Sequence, residues 1–435
     1  MVVWISNLDG SFAYHQRAHV GPVADGRIEP ADGRDSLPDL VFELDGGGYS
    51  TLYGRDDGYF TGGHVYTVPF ADESAETWIT NGKWYTSAAL TNIEAWFGAR
   101  IEVQAYEVNG DPIGTPVPLT LGPRASISLD AADYLGEEDE GSLELRSDAR
   151  LVGEVRYLLT DGNGDPEYRT QEERCSVPLE QVAGMDDLAA PWMLTADWYV
   201  GQSFGTYASR GFYSVKNPND EEVTVTATFY RPSGALITSV NHAIAAHAVA
   251  HVGVWPYVFP DGMGNITFTY EAKYGLVGSV VQTYKKNSTN RVVMQGDGLQ
   301  RTSDASGCLS VPHYYTASGG GQDWEIWYIL KNPSASQVNV GVAYYDLDGD
   351  EIYPTPVPTL AIPAHGNAVG GLAAGQMQPA EGSIKFRAQN DAKVLGRFEI
   401  IGKDDDATYA SVAIGSDKLQ PDEGAALLRY PNVRL

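Results

Sequence analysis

The residues best suited to chemistry in this 435-residue chain form one acidic run, Asp346-Leu347-Asp348-Gly349-Asp350. Asp346, Asp348 and Asp350 bring together the carboxylate oxygens that a hard cation such as calcium takes as ligands. The run lacks the bidentate Glu, twelve positions from the first Asp, that an EF-hand loop uses, so the expectation of calcium rests on the three aspartates alone. Asp161-Gly162-Asn163-Gly164-Asp165 and Asp404-Asp405-Asp406 carry the same expectation. Three histidines, His242, His247 and His251, cluster in a second stretch. At strand rise His247 and His251 share a face but stand about 13 Å apart, too far to share one metal at about 2 Å per bond. They are predicted to be solvated, with pH-dependent contacts as the alternative. No nucleophile elbow, His-Glu-x-x-His, phosphate loop or dinucleotide fingerprint occurs. Carboxylate pairs abound without any spacing that singles one out. The expectation is a non-enzyme with no catalytic residue and no cofactor beyond calcium.

The elements that position these residues repeat along the chain, and internal repetition decides the architecture before any motif does. Three segments carry an aromatic strand ending at an Asn: Ala89-Leu90-Thr91-Asn92, Ser214-Val215-Lys216-Asn217 and Ile329-Leu330-Lys331-Asn332. Each is followed by an alternating strand (Ala99, Ile101, Val103, Ala105; Val223, Val225, Ala227, Phe229; Val338, Val340, Val342, Tyr344) and a turn at Gly110, Gly234 or Gly349. The acidic run is therefore the third copy of a hairpin turn, where Asn/Asp-Gly supplies positive φ. His247 aligns with His365 and Arg124, which marks a turn position tolerant of basic residues. Later in each unit, Glu140-Gly141-Ser142, Met263-Gly264-Asn265 and Glu381-Gly382-Ser383 precede Leu151-Val152-Gly153, Leu276-Val277-Gly278 and Val394-Leu395-Gly396.

Short alternating strands with turn residues every 8 to 12 positions predict antiparallel β-sandwiches of immunoglobulin or fibronectin type. The fold class is all-β: three tandem Ig-like sandwich repeats behind an N-terminal β-rich segment. Taking Thr67-Val68-Pro69, Ser176-Val177-Pro178 and Ser310-Val311-Pro312 as unit openings gives repeats at 66–175, 176–309 and 310–435. Residues 1–65 form either a small β domain or an arm that orders on a neighbouring subunit. On this alignment the middle unit carries an insertion near 179–199, with a short helix over Leu179–Leu188 stopped before Pro191. Trp192 and Trp198 there are candidate partner contacts, beside Trp324 and Trp327. Cys175 and Cys308 each precede a Ser-Val-Pro, at near-equivalent points a domain length apart, and are expected to be free thiols. Ala425–Tyr430 is either a closing strand or one lent to a neighbour.

Trp84-Tyr85-Thr86, Asn92, Val103-Gln104-Ala105-Tyr106, Gly110 and Leu121, with Glu140-Gly141-Ser142 and Leu151-Val152-Gly153, form a pattern that resembles tandem sandwich repeats of uncharacterised secreted bacterial surface proteins. The resemblance implies extracellular or cell-surface duty and no chemistry.

The formal charge of −28 argues against nucleic acid and anionic membrane, both of which reward Lys/Arg clusters. No apolar window reaches the length of a membrane span, and the start shows no signal peptide. The expected function is a structural subunit of an extracellular filament, surface layer or virion whose main partner is itself. The alternative is an adhesin module for glycans or a protein ligand.

Overall fold

The computed structural model describes residues 64–421 except 73–74, 77–81, 95–97, 137, 139, 161–171, 195–196, 200–205, 255–262, 287–291, 317, 320–321, 353–358, 373–380, 405–416 and 419. It also describes the backbone of two N-terminal hairpins, Val2–Ser6 with Phe12–Arg17 and Leu40–Leu44 with Gly48–Leu52. The Asp161–Asp165 run and Ala425–Tyr430 lie outside the described residues, as do Asp405 and Asp406.

From residue 64 the chain builds the same nine-strand unit three times. In the first unit these are β1 (His64–Asp72), β2 (Gly82–Asn92), β3 (Ala99–Glu107), β4 (Pro112–Leu121), β5 (Ser126–Asp130), β6 (Glu140–Ser147), β7 (Leu151–Thr160), β8 (Glu172–Pro178) and β9 (Glu180–Gln181). The second holds β10 (Leu188–Leu194), β11 (Thr206–Lys216), β12 (Val223–Tyr230), β13 (Leu236–Ile244), β14 (Val249–Gly253), β15 (Met263–Thr269), β16 (Val277–Lys286), β17 (Val292–Gly298) and β18 (Gln300–Arg301). The third holds β19 (Cys308–Tyr315), β20 (Gln322–Lys331), β21 (Val338–Tyr345), β22 (Thr359–Ile362), β23 (Asn367–Leu372), β24 (Glu381–Ala388), β25 (Leu395–Asp404), β26 (Asp417–Lys418) and β27 (Gln420–Pro421). Equivalent strands thus differ by nine in label.

Each unit is a two-sheet antiparallel sandwich. One sheet runs β9-β1-β6-β3-β4 and the other β5-β2-β7-β8, and both later units keep this order. Alternation explains which side chains meet between the sheets. In β12 Val223, Val225, Ala227 and Phe229 are buried, and in β21 Val338, Val340, Val342 and Tyr344 are, with the residues between them half-buried or exposed. Val68, Ile101, Val103 and Leu143 from one sheet meet Leu90, Val155 and Tyr157 from the other in the first core. Val225, Phe229, Ile266 and Phe268 meet Tyr213, Val215 and Val280 in the second, and Val311, Val340 and Ile384 meet Ile326 and Leu330 in the third.

The repeated Asn is a clamp where strand β2, β11 or β20 ends. The Asn217 side-chain amide donates to the carbonyls of Glu221, Ile244 and Ala245 at 2.8, 3.0 and 2.9 Å, and its oxygen accepts from the Asn219 amide at 3.0 Å. Asn332 donates to Ser336, Ile362 and Pro363 and accepts from Ser334 in the same way. Asn92 reaches Gly122 at 3.1 Å and accepts from Glu94 at 2.9 Å. A buried amide that closes two loops at once fixes the turn where the strand leaves the sheet.

The unit boundaries differ from the motif-based reading. Ser176-Val177-Pro178 does not open the second sandwich; it lies in β8, the last long strand of the first, paired with β7. The true counterparts of Val68-Pro69 are Ala190-Pro191 and Val311-Pro312, because Ala190 faces Ile266 as Val68 faces Leu143 and Val311 faces Ile384. On that alignment Val68 to Ala190 spans 122 residues and Ala190 to Val311 spans 121, an even period. The middle insertion disappears with the misalignment. Leu179–Leu188 forms no helix: Glu180–Gln181 pairs with β1, Gly184 bridges Tyr274, and β10 begins at Leu188. Cys175 and Cys308 are not equivalent either, since one ends a sandwich in β8 and the other starts one in β19. Both are free, and burial pushes the Cys175 thiol up.

Candidate functional site

The Asp346–Asp350 turn is held by its own first carboxylate. Asp346 Oδ1 accepts from the Asp348 and Asp350 amides at 3.0 and 2.8 Å, and the Asp346 amide donates to the Asp350 carbonyl at 3.0 Å. Asn109 plays a similar part in the first unit, accepting from the Asp111 amide at 2.8 Å. An Asx turn of this kind uses the side chain to shape the hairpin. Among the described residues no three His, Cys, Asp or Glu side chains converge as a metal site would require. Trp192 lies in β10 and Trp198 in the short strand Asp197–Tyr199, but their side chains lie outside the described residues. Trp324 and Trp327 are half-buried, and the Trp327 indole donates to Glu325 at 3.3 Å.

The charged and aromatic residues converge instead where one sandwich meets the next. At the first joint the β3–β4 hairpin tip of unit one meets the β13–β14 turn of unit two. The turn residue His247 sits at φ 55°, and its ring stacks on Tyr106 with centroids 4.8 Å apart. His247 Nδ1 lies 2.8 Å from Glu144 Oε1, and its Nε2 lies 3.1 Å from Asp220. Lys216 Nζ is 3.4 Å from the same Glu144 oxygen, stands 4.3 Å from the Tyr106 ring centre, and donates to the His247 carbonyl. Backbone completes the joint: the Val249 amide donates to the Val108 carbonyl at 3.0 Å. Gly110, at φ 96°, approaches the Ala246 carbonyl so closely that no Cβ fits.

Burial makes this cluster electrostatically stiff. Glu144 and Lys216 are 1% and 0% exposed. Desolvation alone would raise the Glu144 carboxyl, but the His247 hydrogen bond and the Lys216 charge outweigh it and leave the group lowered. Burial pulls Lys216 down to about 8 even with Glu144 beside it. The Glu144 hydrogen bond raises His247 against its own desolvation. A single buried carboxylate therefore holds two cations from the neighbouring sandwich. His247 and His251 are joint residues, not solvated ones. His251 stacks on Phe70 of unit one at 3.8 Å, bonds the Ser214 hydroxyl at 2.8 Å, and is pushed down to about 3 by burial. His242 instead bonds Tyr213 inside unit two, at 2.6 Å.

The second joint repeats the geometry with different chemistry. His365, at φ 56°, stacks on Tyr230 at 5.2 Å, and the Asn367 amide donates to the Pro232 carbonyl at 3.1 Å. Gly234, at φ 80°, meets the Ala364 carbonyl as Gly110 meets that of Ala246. Lys331, fully buried, stands 5.5 Å from the Tyr230 ring centre and donates to Asn265, whose amide donates to Asn367 at 3.1 Å. Two neutral amides replace the carboxylate, and burial brings Lys331 down to about 7. Further along this joint Gln300 donates to the Gly396 carbonyl at 2.8 Å, and Arg397 bonds Glu399 at 2.6 Å, with Asp297 of unit two 4.0 Å away.

Sequence reasoning found the His/Arg turn and the glycines but missed Glu144, Lys216, Lys331 and Asn265. The available signal was the lysine preceding the clamp Asn in units two and three, buried at the end of an otherwise apolar strand.

No protein-family model and no curated protein matches the chain. Among solved structures, similarity is found to a Thermotoga maritima protein described as 1070, at 14% identity and a TM-score of 0.20, over 28% of this chain and 96% of that one. A calcium-binding mutant of Bacteroides uniformis beta-glucuronidase 2 is similar at 12% identity and a TM-score of 0.13, over 61% of this chain. A glycosyl hydrolase family 2 member from Bacteroides cellulosilyticus is similar at 12% identity and 0.13, over 66%. The chain spans 28% and 35% of the lengths of those two enzymes.

Proposed function

We propose that this chain is a non-enzymatic structural subunit of an ordered extracellular assembly, whether a filament, a surface layer or a virion. The observation that carries the reading is the joint, built twice from equivalent strands around the same tyrosine–histidine stack and the same cross-unit backbone bond. Buried polar contacts that cross from one domain to the next select one arrangement of the two and penalise others. Fixed orientation is what a building block needs. The concentration of buried charge in the joints supports the same reading.

Electron microscopy of the purified protein tests it. Ordered polymers, sheets or particles are expected. Dispersed single chains at every concentration and salt condition would overturn the reading.

A further inference from the structure

The two internal joints are made from two surfaces: a Gly-tipped hairpin on the preceding unit and a positive-φ turn on the following one. Both surfaces occur once more in the chain, each without a described mate. Unit three ends in the Gly349 tip, at φ 87°, with open space where Gly110 and Gly234 meet the next unit's carbonyl. Leu347, at the position of Val108 and Pro232, is 69% exposed. Unit one begins with the Arg124 turn, at φ 56°, the same left-handed conformation as His247 and His365. Arg124 and Ser126 are exposed. Ser126 faces Thr91 across β5–β2 in the register by which Val249 faces Lys216 and Asn367 faces Lys331. Its amide thus holds the position from which the other two cross a joint.

We propose that the Gly349 tip of one chain receives the Arg124 turn of a second copy, so that the internal joint recurs between chains. This rests on the structural-subunit reading and names its partner and contact. Charge favours the pairing: Arg124 stands where a histidine stacks on tyrosine, and it meets Tyr345 beside Asp346, Asp348 and Asp350. An arginine suits both the aromatic face and the carboxylates. The lysine bookkeeping also closes. In the internal joints the following unit supplies the lysine over the tyrosine, Lys216 or Lys331, whereas unit one has Thr91 there. Unit three carries its own, Lys385, 5.6 Å from the Tyr345 ring centre at the register position of Glu144. Each joint, internal or between chains, then holds one lysine. The contact is heterologous, so it builds open chains of copies unless the rotation happens to close.

Sedimentation velocity on the full chain tests this with two variants that leave the isolated fold room. Gly349→Asn keeps a residue tolerant of positive φ but adds a Cβ that would strike the incoming carbonyl. Arg124→Asp keeps the turn and reverses its charge. Wild type is expected to grow in mass with concentration, and each variant alone to require at least tenfold higher concentration for the same mass. An equimolar mixture is expected to form dimers and stop there, because one intact tip and one intact turn remain. If wild type assembles and both variants assemble equally well, this contact is overturned while the structural-subunit reading stands. If wild type stays monomeric throughout, both fall.

Discussion

Replacing Glu144 by Gln keeps the volume and removes the charge on which the first joint turns. Lys216 Nζ stands 3.4 Å from the carboxylate, a separation worth about 5 kcal/mol at an effective dielectric near 20. Desolvation already offsets part of that attraction, so the pair adds little net stability, yet breaking it strands a buried lysine at a cost of about 3–5 kcal/mol. Lys216 escapes most of that cost by shedding its proton: brought down to about 8 by burial, it is neutralised at pH 7 for about 1.4 kcal/mol, and weakening the His247 hydrogen bond to the carboxylate adds about 1.5 kcal/mol. The Val249 amide reports the joint directly, because its acceptor is Val108 of the other sandwich. A loss of about 3 kcal/mol corresponds to roughly 150-fold faster amide exchange there. Asn367, the matching amide of the second joint, serves as the control and is expected to change little. Glu144→Gln combined with Lys216→Met should recover the lysine's share of the protection, about tenfold. A change at Val249 under about fivefold would refute the reasoning, as would equal acceleration at Asn367 or a double variant as exposed as the two single effects together.

Three further outcomes follow from the same geometry. His247 is raised by Glu144, so its contribution is fully present below its unfolded value of about 6.5 and fades as pH rises through the higher folded value; Val249 protection, corrected for intrinsic exchange, should fall as pH rises above about 6.5, and His247→Asn should flatten that profile. Gly234→Ala is expected to lower the thermal midpoint well beyond Gly349→Ala, since both incur the left-handed cost of about 1–2 kcal/mol but only Gly234 faces a neighbouring carbonyl; equal midpoints would contradict the joint geometry. Asn332→Ala removes donation to three carbonyls and should cost about 2–3 kcal/mol in denaturant unfolding of the third unit, with a loss below about 0.5 kcal/mol arguing against the clamp.

Strand identity was legible in the sequence because alternation is a local signal: Val223, Val225, Ala227 and Phe229 fall on the buried face as their spacing requires. The clamp Asn and the glycine tips were legible for a different reason, since each recurs at the same point of all three units. Ser176-Val177-Pro178 misled because strand chemistry recurs in non-equivalent strands, and only the pairing partner tells β8 from β1. The joints were not legible. Glu144 and His247 are 103 positions apart, and nothing in either segment announces the other. An acidic turn drew attention because its carboxylates crowd together in sequence, whereas the buried carboxylate that matters, Glu144, sits between Leu143 and Leu145 in a strand.

The most direct measurement is an electron cryomicroscopy reconstruction of whatever the purified chain assembles into. The account predicts a junction between copies that superposes on the two internal joints, with the Ser126 amide facing the Leu347 carbonyl and Arg124 over Tyr345. A junction through any other surface would contradict the proposed contact, and the absence of any ordered assembly would contradict the structural role itself.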